Sequence, residues 1–465
     1  MPATYSPERA LSSKAFDDLE EFVQSERPAD ESLETYERTL RERMDALEVQ
    51  IMGERLRQFD VDEDRLEIAE ELFVRVGRYE KTYHTLSGDV TVERTIYRPQ
   101  GGGKALAPLE VHAGIVEGCW TPLLARVMAR AVAGSTPKEA AELFVEFGGA
   151  KPSTSSLDRL PKKLSQVWEL ARPIFEEELR EEEEVPAGAT AVAVSLDGVQ
   201  VPMQDGERRE KRTQTDRRPM GPAGYREVGC GTVSFFDDEG NRLSTVRYAR
   251  MPERKKETLK EELRKELESI FNVRPDLTLV LLADGAEDNW DFLRSLPEVV
   301  GTGDSHEVVD IFHVLEHVKK ASDAYYGEGN AEGKAFFEQA RVWLREMPDG
   351  AERVIRALRY RRDRSFASTR KTIASEIRYL ENRREQMRYC ELVAENLPIG
   401  SGVVEAACKT LAAERMKRSG MSWLEPGGQA ILTLRSLIQS DRFDRAWPRL
   451  TSFYTAPVER VSRAA

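Results

Sequence analysis

Two aspartates and a glutamate are the side chains of this sequence best suited to do chemistry. Asp197 closes the apolar run AVAVSLDG and Asp284 closes LTLVLLADG, so each carboxylate is expected at the carboxyl end of a buried strand. In sheets covered by helices, ligands bind at that end of the strands. Each aspartate is followed by glycine, which lets backbone or ligand come close, and a carboxylate there offers a hard oxygen to a divalent cation. An Asp-Gly pair is equally a turn signal, so one alone decides little; a pair on two apolar strands of one region is harder to ascribe to turns. Glu405, in NLPIGSGVVEAACKTLAAERMKRSGMSW, is the third candidate. Ser401 is suited to cap a helix, which puts Glu405 one turn in, with Cys408 and Lys409 on the same face. A glutamate in a first turn also simply complements the helix dipole.

The elements that must position these groups follow from the residue pattern. From Thr190 onward the order is strand, TAVAVSLDG; strand, YREVGCGTVSFFD; strand, RLSTVRYARM; helix, KKETLKEELRKELESIF; strand, LTLVLLADGA; helix, DNWDFLRSL; strand, EVVDIF. Three successive strands followed by alternating helix and strand predict a mixed α/β, or α+β, domain with helices over a mixed sheet, as in a ribonuclease H-like fold. The break Pro186-Ala187-Gly188 marks its start, so the first part of the core is placed at residues 186–311; from about Phe312 the chain is almost all helical. Upstream, residues 72–115 read as a β-hairpin region around the turn Leu86-Ser87-Gly88-Asp89. Residues 116–185 return to helical spacing. Ser135-Thr136-Pro137 opens one helix there, Gly148-Gly149 ends it, and Ser153-Thr154-Ser155 opens a second, SSLDRLPKKLSQ. This is either a helix-turn-helix DNA-binding domain or an ordinary helix pair. The acidic run Glu176 to Glu184 precedes the break.

Charge is spread unevenly. The 465 residues hold 82 acidic and 69 basic side chains, a net charge of −13 that by itself argues against nucleic acid as partner. Residues 1–71 hold 21 acidic and 9 basic side chains, so almost the whole excess belongs to this segment. It reads as an acidic helical arm with Leu40, Met44, Leu47 and Ile51 on one face, either a partner surface or a solvated helix. Residues 353–388 have the opposite balance, 12 Arg or Lys against 4 Asp or Glu, with Tyr360, Phe366 and Tyr379 interleaved. Such helices suit phosphate contacts and base stacking, and the same pattern fits a solvated face. The DNA-contact candidates here are Arg361, Arg362, Arg364, Arg370 and Lys371. A second basic group, Glu207 to Arg218, lies in a polar loop, and a third comprises Arg415, Lys417 and Arg418 after Glu405; Lys409, Lys417 and Arg418 join the DNA-contact candidates. Trp423 either stacks on an unpaired base or belongs to the core.

Several classes are set aside. Cys119, Cys230, Cys390 and Cys408 form no C-x-x-C pair, so neither a disulfide scaffold nor a cysteine zinc site is indicated. The order in HVLEH is not that of a zinc protease H-E-x-x-H. No apolar run approaches a bilayer span of roughly 18 residues and the amino terminus lacks a signal-peptide core, so a soluble cytoplasmic protein with no membrane partner is expected.

Taken in order, Asp197 in SLDG, Asp284 in LLADGA, DIFHVLEHV, and GSGVVEAACK followed by ERMKRSGMSW resemble the DDE transposases of bacterial and archaeal insertion sequences, the Kra-type group related to Mutator-like enzymes. The resemblance runs over about residues 70–445. It implies a catalytic triad of Asp197, Asp284 and Glu405 as the metal ligands for two Mg2+ ions, with Mn2+ able to substitute. It implies that the glutamate follows a helical insertion, here 312–398, and that helices at 399–465 complete the core. Asp310 and His313 in DIFH match the Asp/Cys-x-x-His motif of related transposases, which makes His313 a catalytic candidate near the scissile phosphate; a structural histidine fits as well. Two ions about 3.5–4 Å apart would activate the attacking oxygen and neutralise the leaving one. The implied activity is strand cleavage at element ends and strand transfer into target DNA, with DNA as partner, a homodimer or larger oligomer, and a nucleoid-associated location. The cysteine-rich zinc segment of some relatives has no counterpart around residues 72–100. A ribonuclease H-like DNA nuclease without transposition, and an inactive DNA-binding regulator, remain as alternatives.

Overall fold

The structure, a computed structural model, describes residues 14–26, 28, 31–204, 224–284 and 287–460. The chain divides into two compact units, Met1–Phe175 with Phe443–Ala465, and Glu176–Arg442.

In the first unit two helices, α1 (Lys14–Gln24) and α2 (Leu33–Gln58), precede a four-stranded sheet of order β3-β2-β1-β9, built from β1 (Arg65–Ile68), β2 (Glu71–Thr85), β3 (Gly88–Pro99) and the chain-terminal β9 (Val458–Arg460). Strands β2 and β3 are the expected hairpin, closed by Leu86-Ser87 with Thr85 opposite Gly88. One feature of the arm differs from the sequence reading. Residues 65–68 are strand, because Leu66 and Ile68 alternate inward and pair with both β2 and β9. In α2, Met44 and Ile51 of the stripe read from the sequence are about half exposed, at 47% and 51%. The flank that packs carries Val49, Met52 and Leu56 against Tyr83, Val90 and Val92, and Gly53 admits the close approach of Val90, whose Cγ1 a Cβ there would meet at 3.4 Å. Helices α3 (Pro108–His112), α4 (Pro122–Gly134) and α5 (Pro137–Phe147) follow. Helix α5 starts with a reciprocal box, Thr136 accepting from the Glu139 backbone and Glu139 from that of Thr136. Helix α6 (Thr154–Glu181) is more than twice the expected length; it runs through Pro161 and Pro173 and takes in Glu176 to Glu181, read from sequence as the approach to a break.

The second unit is built on the expected mixed sheet, five strands in the order β6-β5-β4-β7-β8. Strands β4 (Ala191–Met203), β5 (Gly224–Phe236) and β6 (Arg242–Arg250) are antiparallel neighbours, whereas β7 (Thr278–Ala283) and β8 (Ser305–Val309) run parallel to β4. The parallel strands are nearly continuous apolar runs because both their faces are covered. Helix α7 (Glu257–Val273) lays Leu259 and Leu263 directly over Gly229 and Gly231 of β5, where a Cβ would come within 2.8 and 2.7 Å of them. Short helices α8 (Glu287–Leu293) and α9 (Leu296–Val300) join β7 to β8. After β8 the chain makes a helical excursion through α10 (Ile311–Tyr326), α11 (Ala331–Glu346), α12 (Gly350–Asp363), α13 (Ala367–Asn382) and α14 (Tyr389–Ala394). It returns as α15 (Gly402–Ala407), which widens into a π-helical turn over Cys408–Ala413, and then as α16 (Glu425–Gln439); α17 (Phe443–Ser452) belongs to the first unit.

Candidate functional site

Three aspartates line the carboxyl edge of the parallel strands. Pairing of β4 with β7 ends at Ser195 opposite Leu282, and pairing of β7 with β8 ends at Ala283 opposite Val309. Asp197 and Asp284 each lie two residues beyond the members of the first pair, and Asp284 and Asp310 one residue beyond those of the second. The three are therefore in register across adjacent strands, and residues in register project to the same face. Asp197 is not at a strand end, as its apolar run suggested. It sits midway along β4, which continues to Met203 because its antiparallel pairing with β5 persists after the parallel partner has left. Helix α8 braces both positions: buried Asn289 donates to the Leu196 carbonyl at 3.2 Å and Trp290 Nε1 to the Asp284 carbonyl at 2.8 Å.

Each carboxylate has a distinct environment. Asp197 accepts from the Gly198 backbone at 2.6 Å and from Cys408 Sγ at 3.6 Å. Burial, and then the charge of Asp284, push its carboxyl above the ordinary range, while Lys256 acts in the opposite sense. Lys255 and Lys256 hold left-handed φ values of 52° and 56°, a strained pair for residues with side chains, and Lys256 Nζ reaches Glu227 at 2.5 Å. Asp310 is fully buried; it caps α10 by accepting from the Phe312 backbone at 2.8 Å and accepts a short hydrogen bond from Ser401 Oγ. Glu405, at the exposed rim, accepts from Ser401 Oγ at 3.5 Å. Its carboxyl is raised by burial of the acidic head, then by the charge of Asp310 and a hydrogen bond with it, and by Asp197. Glu405 thus faces Asp310 and Asp197 from the returning helix. Cys408, between Cys230 and Asp197, is held in the thiol form by those neighbours and by burial.

All the donors at this edge are carboxylate oxygens, the chemistry a hard divalent cation takes. Among the described residues no three His, Cys, Asp or Glu side chains already stand together as a metal-binding group; Glu405 is engaged with Ser401 and Asp310 instead of closing on the two aspartates.

His313 meets side chains of the helical excursion. Its Nδ1 is 3.7 Å from Glu316, and its ring meets His317 and Tyr379 edge-on at 5.0 and 5.8 Å. His317 stacks on Tyr379 at 3.6 Å and shares a short hydrogen bond with Glu376. Tyr379 carries the chemically informative atom: its hydroxyl is buried and has no hydrogen-bond partner among the described residues. Burial raises its pKa, and the charges of Asp284 and Asp310 raise it further, which places that hydroxyl in the field of the aspartate row. Tyr379 entered the sequence reading only as an aromatic among arginines, and Asp310 only as part of DIFH; a partial signal for Asp310 was present, since it follows the buried pair Val308-Val309 as Asp197 and Asp284 follow their own apolar runs.

The basic candidates differ in their contacts and exposure. Arg361 is tied into the helical excursion, donating to Tyr326 Oη at 2.8 and 3.1 Å and lying over Phe336 at 3.7 Å. Arg364 stacks on Tyr360 at 3.5 Å, Arg362 pairs with Asp363 at 2.9 Å, and Arg370 reaches the Asp363 carbonyl at 3.3 Å. Lys371, Lys409, Lys417 and Arg418 are exposed. Trp423 packs against the core beside α15, donates to the Met416 carbonyl at 2.9 Å and is backbone-paired to β4, so it serves the fold. The basic loop Glu207 to Arg218 lies outside the described residues. No helix of the described residues is long and apolar enough to cross a membrane.

No family model matches the chain, and no curated protein matches it. Among solved structures, the Drosophila P element transposase strand transfer complex aligns with 71% of this chain and 83% of its own, at a TM-score of 0.26 and 14% identity.

Proposed function

We propose that this chain is a metal-dependent DNA phosphoryl-transfer enzyme with a ribonuclease H-like core, acting as a DDE transposase that cleaves element ends and transfers them to target DNA. The observation that carries the reading is the in-register row Asp197, Asp284 and Asp310 with Glu405 facing it from a helix that returns after a long excursion. Asp197, Asp284 and Glu405 would hold Mg2+, or Mn2+ in its place. When bound, such ions lower the pKa of a water or hydroxyl nucleophile and stabilise charge on the scissile phosphate.

The chain's own residues have separable tasks in this reading. Asn289 and Trp290 fix the backbone under the two aspartates. Cys408 orients Asp197 through its thiol. Asp310 and Ser401 hold Glu405 at the rim, so that a modest swing of one glutamate completes the ligand set. The unpaired Tyr379 hydroxyl is a donor for a non-bridging phosphate oxygen. Lys371, Lys409, Lys417 and Arg418 supply the phosphate contacts, and assembly of two or more copies on paired ends belongs to the same reading.

The test is cleavage of a duplex carrying the element end. Wild type with Mg2+ or Mn2+ should release a 3′-hydroxyl end and join it to a second duplex, and Asp197→Asn should do neither while still binding DNA. Cleavage without joining would support a nuclease, and binding without any cleavage a regulator; either result rejects the transposase.

A further inference from the structure

The first unit holds a cavity that the carboxylate site does not use. It has a volume of about 760 Å³ and lies between the tip of the β2–β3 hairpin, the segment around Trp120 and the start of α6. The backbone fixes its walls: the His84 amide donates to the Cys119 carbonyl at 2.8 Å, the Thr121 amide to the His84 carbonyl at 3.0 Å, and the Ala150 amide to the Leu86 carbonyl at 2.8 Å. The tight turn at Gly149, with φ of 70°, brings the α6 start against the hairpin; a Cβ there would stand 2.5 Å from the Leu86 carbonyl oxygen.

The lining charges are asymmetric. Its two acids are already satisfied within the unit, Asp89 by His84 Nδ1 at 2.6 Å and Glu117 by the Tyr454 hydroxyl at 2.9 Å. Its three cations, Lys151, Arg159 and Lys163, have no carboxylate partner among the described residues, and Arg159 and Lys163 are one turn apart on the same face of α6. The rings of His84 and Trp120, 4.5 Å apart, supply an aromatic wall. A cavity with paired acids, unpaired cations and an aromatic side matches a phosphate that carries a sugar and a base.

We infer that this cavity is a DNA-strand binding site, in which Lys151, Arg159 and Lys163 hold backbone phosphates and Trp120 packs against the attached nucleoside. The inference rests on the proposal that DNA is the substrate, and it locates a contact in the amino-terminal unit, away from the carboxylate row in sequence.

The experiment is fluorescence anisotropy of a labelled element-end duplex with the full chain, without divalent metal, at about 50–200 mM salt. Arg159→Gln/Lys163→Gln should weaken binding at least tenfold and flatten the plot of log affinity against log salt by about 2, close to one unit per lost phosphate contact. The exposed pair Lys104→Gln/Lys138→Gln in the same unit is the charge-matched control and should change affinity less than twofold. Lys151→Gln tests the third cation, and Trp120→Leu the aromatic wall; circular dichroism melts confirm that each variant is folded. An equal loss in cavity and control variants, or no loss in the cavity variants, overturns the inference. A deoxynucleoside monophosphate that displaces the duplex at equimolar concentration would show a site for free nucleotide and also overturn it. Metal-dependent cleavage is scored separately: normal cleavage with cavity-independent binding rejects this site alone, whereas cavity-dependent binding without cleavage in wild type rejects the enzyme reading alone.

Discussion

Asp197 and Asp284 are separated along the chain by the same step as every hydrogen-bonded pair of β4 and β7, from Ala191–Thr278 to Ser195–Leu282. Their carboxylates are neighbours because strand pairing makes them so, and the charge of Asp284 is among the causes that raise the carboxyl of Asp197. Replacing either by asparagine removes that repulsion along with a ligand. Asp197→Asn and Asp284→Asn should each lower metal-dependent cleavage by about 10³-fold or more, with DNA affinity within about twofold of wild type. Both should melt no lower than wild type at pH 8 without metal, as differential scanning calorimetry would show.

Raised carboxyls at Asp197 and Glu405 set the sign of a pH effect. Protons and cations compete for the same oxygens, and both groups take up protons above the usual carboxylate range. Mn2+ affinity, followed by electron paramagnetic resonance, should fall as pH is lowered while unperturbed carboxylates, with pKa values of about 4, are still ionised. Asp310→Asn removes the second-ranked cause of the Glu405 shift and should move the onset of that loss to lower pH.

Tyr379→Phe deletes a buried hydroxyl that has no partner among the described residues. Stability should be unchanged or slightly higher, since an unsatisfied polar atom is removed. Cleavage should slow by about tenfold to a hundredfold through the chemical step, the scale of one lost donor to a transition-state oxygen. Single-turnover rates at saturating DNA measure this; an unchanged rate would leave Tyr379 as a packing residue only.

A buried charge cluster gives the second unit a pH-dependent stability. Arg442 donates to Glu183 and Glu266 at 2.6 Å each and to the Tyr248 hydroxyl at 2.7 Å. Beside it, Glu176 has its carboxyl raised from 4.5 to about 7, first by burial and then by the charge of Glu262. The folded state therefore holds a proton that the unfolded chain has released, so this contribution is complete below about pH 4.5 and is lost as pH rises through about 7. Glu176→Gln should match wild type in Tm at pH 5 and exceed it by a few degrees at pH 8.

The sheet was legible because apolar runs report burial, but Asp-Gly marked a strand end only at Asp284; at Asp197 the strand continues to Met203. Asp310 was harder to assign, since Ile311 and Phe312 follow it without a turn residue and its carboxylate serves as a helix cap. Local charge misled for a related reason. The excess of arginine in residues 353–388 is visible in the sequence, but Arg353 pairs with Asp349 one turn away, and Arg359 with Glu381 and Arg383 with Glu287 find partners that only helix packing supplies. Which apolar stripe of α2 is covered depends on the presence of β3, which helical spacing alone does not contain. The partnerless hydroxyl of Tyr379 has no sequence signature at all.

The helical excursion leaves and rejoins the sheet at one point. The Ile311 amide donates to the Ile399 carbonyl at 3.1 Å, and Ser401 reaches Asp310 beside it. Those two clasps tie off residues 312–398 like the neck of a bag, so the length of chain beyond the neck has little leverage on where Glu405 arrives. Additions or deletions among the excursion's outer turns, for example at Gly327-Glu328-Gly329, should leave the carboxylates in place. Removing a single residue from β7 would turn Asp284 to the opposite face of the sheet. The carboxylate spacing is thus indifferent to large edits in one stretch of the chain and intolerant of the smallest edit in another.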